Sequence, residues 1–366
     1  MNDQYYMKFA LSLARSVSGQ TSPNPPVGAV VVKNGQIIGF GAHLKAGEPH
    51  AEVHALQMAG DKAKHATIYV TLEPCSHHGK TPPCADLILQ KGLSRVVVAT
   101  VDPNEKVAGQ GIKRLRESGV QVDVGILKEE ADSINKAFFY YIQHHKPFVT
   151  LKSATSLDGK LATVSGESQW ITGEEARQDA HLYRHTHDAI LVGVNTVLKD
   201  NPTLTARLPL GGKNPVRVVL DTHLRTPLQS NIITKKDAET LIITGSEARQ
   251  DTIAGYEQFA HVEVIQLDQP EITIPRVLEE LGKRKIMTLF VEGGAEVNGS
   301  FLKEKAVQQV ITYIAPTIIG GRGAPTSIGG DGIESLSDSL DLSITSFERI
   351  GKDLKIVAEA KNHDEG

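Results

Sequence analysis

Thr67-Ile68-Tyr69-Val70-Thr71-Leu72-Glu73-Pro74-Cys75 is the stretch on which the first part of the chain turns. Its first six residues are mostly β-branched or apolar and read as a strand that runs directly into Glu-Pro-Cys. Pro83 to Gln90 opens with proline and reads as a helix, which puts Cys84 in its first turn. Upstream, His50-Ala51-Glu52 stands at the start of another helix, Ala51 to Ala59. Working outward, Met7 to Val17 has apolar residues at helical spacing. Gly28 to Val32 and Gln36 to Phe40 flank Asn34-Gly35, a strong two-residue hairpin signal. A strand at Arg95 to Val101, a helix at Gly111 to Glu117, a strand at Val120 to Val124 and a helix at Lys128 to His144 follow. Strands and helices that alternate in this way predict an α/β layered domain.

His145-Lys146-Pro147 reads as a joint, so the expected domains are residues 1–146 and 147–366. Beyond it a second α/β pattern begins. Strands are expected at Phe148 to Ser153, Ala189 to Val192, Val216 to Leu220, Thr240 to Thr244, Val262 to Leu267, Thr288 to Val291, Val310 to Ile314 and Leu354 to Glu359. Helices are expected at Gly173 to Thr186, Pro275 to Lys283 and Asn298 to Lys305. Residues 320–338 are rich in Gly, Ser and Asp and read as a loop. The chain has 366 residues, 40% hydrophobic and 22% charged, with a net charge of −4. That length suits two domains, each able to bury a core. The first 146 residues hold 16 Lys and Arg against 13 Asp and Glu (+3), and the remainder hold 23 against 30 (−7). A balance this mild argues against nucleic acid as the main partner. No apolar run is long enough for a membrane helix, and the N-terminus lacks the pattern of a secretory signal. Cytoplasmic location is the expectation.

Only two cysteines are present, Cys75 and Cys84, which excludes a disulfide framework. With His50 they make three ligands for zinc and leave a fourth position for water, as in a catalytic site. A thiolate at the N-terminus of a helix, as at Cys84, is favoured by the exposed N–H groups. Glu52, two residues beyond His50, is placed to take a proton from that water and pass it to a leaving amine. His-x-Glu with Pro-Cys-x-x-Cys is the pattern of zinc deaminases acting on nucleobases. Here eight residues, not two, separate the cysteines. A closed structural zinc site with His54, His77 or His78 as fourth ligand stays open, as does a pair of packed cysteines. In the second half, Thr288 to Val291 runs into Glu292-Gly293-Gly294 and then a helix, an arrangement that suits a phosphate.

These residues resemble a known family. Pro23-Asn24-Pro25-Pro26-Val27-Gly28, His50-Ala51-Glu52, the run from Glu73 to Cys84 with its long insert, and Asp102-Pro103-Asn104 resemble the deaminase domain of the bifunctional riboflavin-biosynthesis deaminase–reductases. Lys152-Ser153-Ala154-Thr155-Ser156-Leu157-Asp158-Gly159-Lys160, Trp170-Ile171-Thr172-Gly173, Val192 to Val197 and Asp200-Asn201-Pro202-x-Leu204-Thr205-x-Arg207 are similar to its reductase domain. The resemblance implies a cytidine-deaminase-like α/β/α domain followed by a dihydrofolate-reductase-like α/β domain, with Zn2+ and NADPH as cofactors. It implies deamination of 2,5-diamino-6-ribosylamino-4(3H)-pyrimidinone 5′-phosphate, then reduction of a ribosyl to a ribityl group. Asn24, His43, His77, Lys80, Asp102 and Asn104 would line the deaminase pocket. NADPH would contact Ala154, Trp170, Thr196, Asp200, Thr222 and Gly294, Ala295, Glu296, Val297, Asn298, Gly299 and Ser300. The second substrate would contact Ser168, Arg184, Leu204, Arg207 and Glu292. The two arginines offer forked donors to its phosphate. Lys152 is expected near the carbon that receives hydride, and Asp200 at the ribose or nicotinamide. The expected partner is this phosphorylated pyrimidine, and a homo-oligomer is the expected assembly. Two rivals are a nucleotide deaminase with a regulatory ligand-binding second domain and a non-catalytic zinc-stabilised binding protein.

Overall fold

The computed structural model describes residues 2–76, 82–104 and 108–361. The chain forms two compact units, Met1–His145 and Lys146–Gly366. In the first, the order is α1 (Asp3–Ser16), β1 (Gly28–Lys33), β2 (Gln36–Ala42), α2 (Ala51–Ala59), β3 (Thr67–Leu72), α3 (Cys84–Gln90), β4 (Arg95–Thr100), α4 (Gln110–Glu117), β5 (Gln121–Val124) and α5 (Lys128–His144). The strands lie in the order β2-β1-β3-β4-β5. β1 runs antiparallel to β2 and β3, while β3, β4 and β5 are parallel. Asn34 and Gly35 both take positive φ, 51° and 75°, as the tight hairpin requires.

Side chains alternate across this sheet because the strand period is two. Val31, Ile68, Val70, Val96 and Val98 face a core shared with α2, α3 and α4. Val30, Tyr69, Val97 and Ala99 face α1, with Ala131 of α5. Helices therefore cover both faces. β2 lies close against α2, since a Cβ on Gly39 would meet the Ala55 carbonyl oxygen at 2.1 Å. That contact seats the helix that begins after His50.

The second unit contains β6 (Phe148–Ser156), α6 (Glu174–Thr186), β7 (Ala189–Gly193), α7 (Val194–Asp200), β8 (Val216–Leu220), α8 (Asn231–Thr234), β9 (Thr240–Thr244), α9 (Gln250–Ala254), β10 (Val262–Gln266), α10 (Ile274–Lys283), β11 (Thr288–Val291), α11 (Gly294–Lys303), β12 (Gln309–Ala315), β13 (Leu342–Ile350) and β14 (Asp353–Ala360). Its nine-stranded sheet runs β10-β9-β8-β7-β11-β6-β12-β14-β13. Strands β10 to β12 in that order are parallel; β14 is antiparallel to both β12 and β13. Two apolar layers cover it, one including Leu151, Leu289 and Phe301, the other Ile190, Phe290 and Tyr313.

Four elements of the second unit were not expected from the sequence: α7, the short helices α8 and α9, and β13. α7 forms from Val194-Asn195-Thr196-Val197, residues of low helix propensity, because Val194 and Val197 are buried beneath it. β13 has every residue but its last exposed, so it carries no buried face for an alternation to reveal. β6 also runs three residues further than expected, to Ser156.

Candidate active sites

In the first unit, β3 ends at Leu72 and delivers Cys75, α3 starts at Cys84, and His50 is the N-cap residue of α2. Their ligand atoms lie within 4.8 Å of one another. His50 Nδ1 is 3.6 Å from Cys75 Sγ and 3.3 Å from Cys84 Sγ. Zinc bonds of ~2.3 Å to sulfur and ~2.0 Å to nitrogen at tetrahedral angles imply edges of about 3.5 Å. The three residues therefore fit zinc. His54 is outside this cluster. His77, His78 and Lys80 lie outside the described residues.

The Cys84 N–H donates to Cys75 Sγ at 3.3 Å. Hydrogen bonding from Cys84, then from His50, holds the Cys75 thiol down to about 4 against burial, while Cys84 is pushed up. Glu52 is 3% exposed, in the first turn of α2. Burial and then the Cys75 thiolate raise its carboxyl to about 7. His43 is buried beside His50. Its Nδ1 lies 3.2 Å from the Pro49 carbonyl and its Nε2 3.0 Å from the Asn24 amide. A ring that donates to Pro49 and accepts from Asn24 is neutral, and burial lowers its pKa in the same sense. Asn24, His43, His50, Glu52, Cys75, Asp102 and Asn104 all line one cavity of about 520 Å³.

In the second unit, Lys152 and Ala154 are the half-buried positions of β6. Glu292 follows β11, the neighbouring strand, and accepts from Arg184 of α6. Arg184 Nε meets Oε1 at 2.7 Å and its terminal nitrogen meets Oε2 at 3.2 Å. Lys152 Nζ stands 3.4 Å from the same carboxylate. Burial would raise Glu292, but Arg184 and Lys152 outweigh it and hold it down to about 2. Of the adjacent strands, β7 ends at Gly193 and β11 is followed two residues later by Gly293, and each glycine caps a helix. A Cβ on Gly293 would sit 2.3 Å from Val297 Cγ1, so only glycine lets the backbone turn this closely into α11. A backbone turn opening onto the N-terminus of α11 fits a dinucleotide phosphate.

The other expected residues lie on several elements of the second unit. Ala295 and Val297 are half-buried in the first turn of α11, and Glu296 and Ser300 are exposed. Asn298 donates to the Ser327 carbonyl, and a Cβ on Gly299 would meet the Gly329 oxygen at 2.4 Å, so both pack on the loop after β12. Thr196 lies on α7, which Asp200 ends in an exposed position. Among the described residues, no hydrogen bond or ion pair joins Asp200 to Lys152 or Glu292. Thr222 follows β8, Ser168 is half-buried, and Trp170 is exposed with the Arg177 guanidinium 4.6 Å over its ring. Leu204 is buried at positive φ, and Arg207 is exposed.

The chain was compared with known proteins. Residues 147–356 match the family model "RibD C-terminal domain", and residues 1–100 match "Cytidine and deoxycytidylate deaminase zinc-binding region". The riboflavin biosynthesis protein RibD of Bacillus amyloliquefaciens is 50% identical over 100% of this chain and 98% of its own. The chain belongs to the RibD family. RibD of Aquifex aeolicus is 48% identical, covering 97% of each chain. The structure of Acinetobacter baumannii RibD superposes with a TM-score of 0.87 at 37% identity, over 98% of this chain and 99% of that one. A Thermotoga maritima structure, described as a diaminohydroxyphosphoribosylaminopyrimidine deaminase and 5-amino-6-(5-phosphoribosylamino)uracil reductase, gives 0.88 at 37% identity over 98% of each. Like RibD proteins, this chain joins a zinc-binding deaminase domain to a reductase domain in one riboflavin-biosynthesis enzyme. The reductase match removes the rival of a purely regulatory second domain.

Two further residues of the second unit were not expected from the sequence. His181 lies one turn before Arg184 on α6. Its Nδ1 is 3.2 Å from the Thr205 carbonyl, which also receives Arg184 at 3.3 Å. Burial, then Arg184 and Arg207, lower His181 to about 4. Fully buried Arg217 donates to the carbonyls of Thr203, Lys235 and Ala238 and pairs with Asp237, which anchors the chain just before Leu204. Nothing local in the sequence marks either residue, because their partners come from other elements.

Proposed function

We propose that residues 1–146 deaminate 2,5-diamino-6-ribosylamino-4(3H)-pyrimidinone 5′-phosphate. Residues 147–366 then reduce the ribosyl group of 5-amino-6-(5-phosphoribosylamino)uracil to ribityl with NADPH. The observation that carries this is the convergence of His50, Cys75 and Cys84, with His50, Cys75 and buried Glu52 lining one cavity. Zinc held by those three residues supplies Lewis acidity, which makes water nucleophilic near neutral pH. Glu52 holds the proton taken from water and delivers it to the departing amine. Asn24 and neutral His43 orient the pyrimidine, and Asp102 and Asn104 bind it from the wall of the same cavity.

In the reductase, NADPH supplies the hydride, and the chain binds and orients. Lys152, steadied by Glu292, lies next to the receiving carbon, and α11 takes a cofactor phosphate. Arg184 has Nε and both terminal nitrogens in hydrogen bonds within the chain, to Glu292 and Thr205. Arg207 is exposed, so it meets the substrate phosphate first. Asp200 belongs to the cofactor's ribose side.

The partner is this phosphorylated pyrimidine rather than nucleic acid. Unpaired Cys75 and Cys84 suit a reducing compartment, which supports the cytoplasm. No described helix is long and apolar enough to cross a membrane. A homo-oligomer is supported by β13, an edge strand with Ile344 and Phe347 exposed. Phe347→Glu lowers the mass measured by light scattering if a second copy covers that edge, and leaves it unchanged if not.

The test of the two activities is product mass by mass spectrometry, on the diaminopyrimidinone ribosyl phosphate, with and without NADPH. Deamination alone without cofactor and deamination plus reduction with it are expected. Unchanged substrate with folded, zinc-loaded enzyme would overturn the reading.

A further inference from the structure

We infer that Glu73 is a positioning residue of the deaminase, whose carboxylate fixes the segment bearing Asp102 and Asn104 against the strand end that delivers Cys75. The inference rests on the substrate reading above. Glu73 is 5% exposed, and its own N–H donates to the Thr100 carbonyl at 3.0 Å. Its Oε2 accepts the N–H groups of Asp102 at 3.4 Å and Gly109 at 2.9 Å. Its Oε1 accepts those of Gly111 at 2.9 Å and Ile112 at 3.2 Å. The last two belong to the first turn of α4, whose N–H groups have no intrahelical partner and favour negative charge.

One side chain therefore joins three things. It lies two residues before Cys75. It holds Asp102, whose Oδ1 in turn accepts the Asn104 N–H at 2.9 Å. It also seats α4, where a Cβ on Gly111 would lie 2.0 Å from the Pro74 carbonyl oxygen. Asp102, Asn104, Glu73 and Cys75 line the same cavity. A carboxylate offers acceptors on both oxygens. A glutamine offers one oxygen and one donor, and that donor would face N–H groups. Glu73→Gln must release one of the two pairs, so the Asp102 side shifts relative to Cys75.

The test uses the full zinc-loaded chain. Expected for Glu73→Gln are unchanged zinc content, unchanged NADPH-dependent reduction, and a deaminase KM raised ~10-fold or more with a smaller change in kcat, as misplacement of a binding group predicts. In an Asn104→Ala background the same substitution adds less than about twofold, because both act through one group. An unchanged KM overturns the inference. So does an effect that is fully additive with Asn104→Ala, which would mean general loosening, or a loss of zinc, which would mean support of the metal site alone. If Glu73→Gln does not fold, Glu73→Asp keeps the charge and both acceptor oxygens but shortens their reach to the same N–H groups, and is judged by the same criteria. Failure of the wild-type chain to deaminate would instead refute the substrate reading, before any variant is compared.

Discussion

Replacing Glu292 with glutamine removes the negative charge that Arg184 and Lys152 share. All three side chains are largely buried, with 11%, 13% and 19% of their surfaces exposed. The cost follows from two routes. The carboxyl is held from an ordinary 4.5 down to about 2, and at ~1.4 kcal/mol per pH unit this amounts to about 3 kcal/mol. Breaking a buried pair by removing one partner costs ~3–5 kcal/mol, and the remaining amide oxygen favours the low end. The sign is that of a depressed acid: the stabilisation is complete above 4.5 and is lost as pH falls toward 2. Trp170 is the chain's single tryptophan and belongs to the second unit, so its fluorescence follows that unit in denaturant. Glu292→Gln should lower the stability of the reductase unit by about 3 kcal/mol at pH 7. The gap from wild type should shrink steadily below pH 4.5. A gap under ~1 kcal/mol at pH 7, or one that does not change with pH, would refute the reasoning.

Glu52→Gln should retain zinc and lose ~10²–10⁴-fold in deamination, with reduction untouched; an active variant in the mass assay would remove Glu52 from its role. Chelating zinc should abolish deamination and spare reduction, and equal loss of both would contradict separate sites. His181 is lowered from 6.5 to about 4, so the unfolded chain takes up its proton first. Stability of the second unit should therefore fall between pH 6.5 and 4, and His181→Gln should flatten that window in the Trp170 denaturation assay; an unchanged slope would refute it.

The α/β character of both halves was legible in the sequence because strand and helix periods are local. Asn34-Gly35 named its turn for the same reason. The candidate metal cluster was legible from residue types at element ends: His50 before a helix, Cys75 after a strand, Cys84 opening a helix. That these three meet, across 25 and 34 residues, depends on how β3, α2 and α3 pack. Partner choice among buried polar groups was not legible. Glu73 finds its N–H donors 29 to 39 residues away, and Glu292 finds Arg184 108 residues away. The same holds for His181 on Thr205 and for β13, whose exposed faces leave no apolar alternation to read. Short-range periodicity is written by each segment's own burial. Which charge neutralises which is decided only when the sheet order brings distant segments together and excludes water from between them.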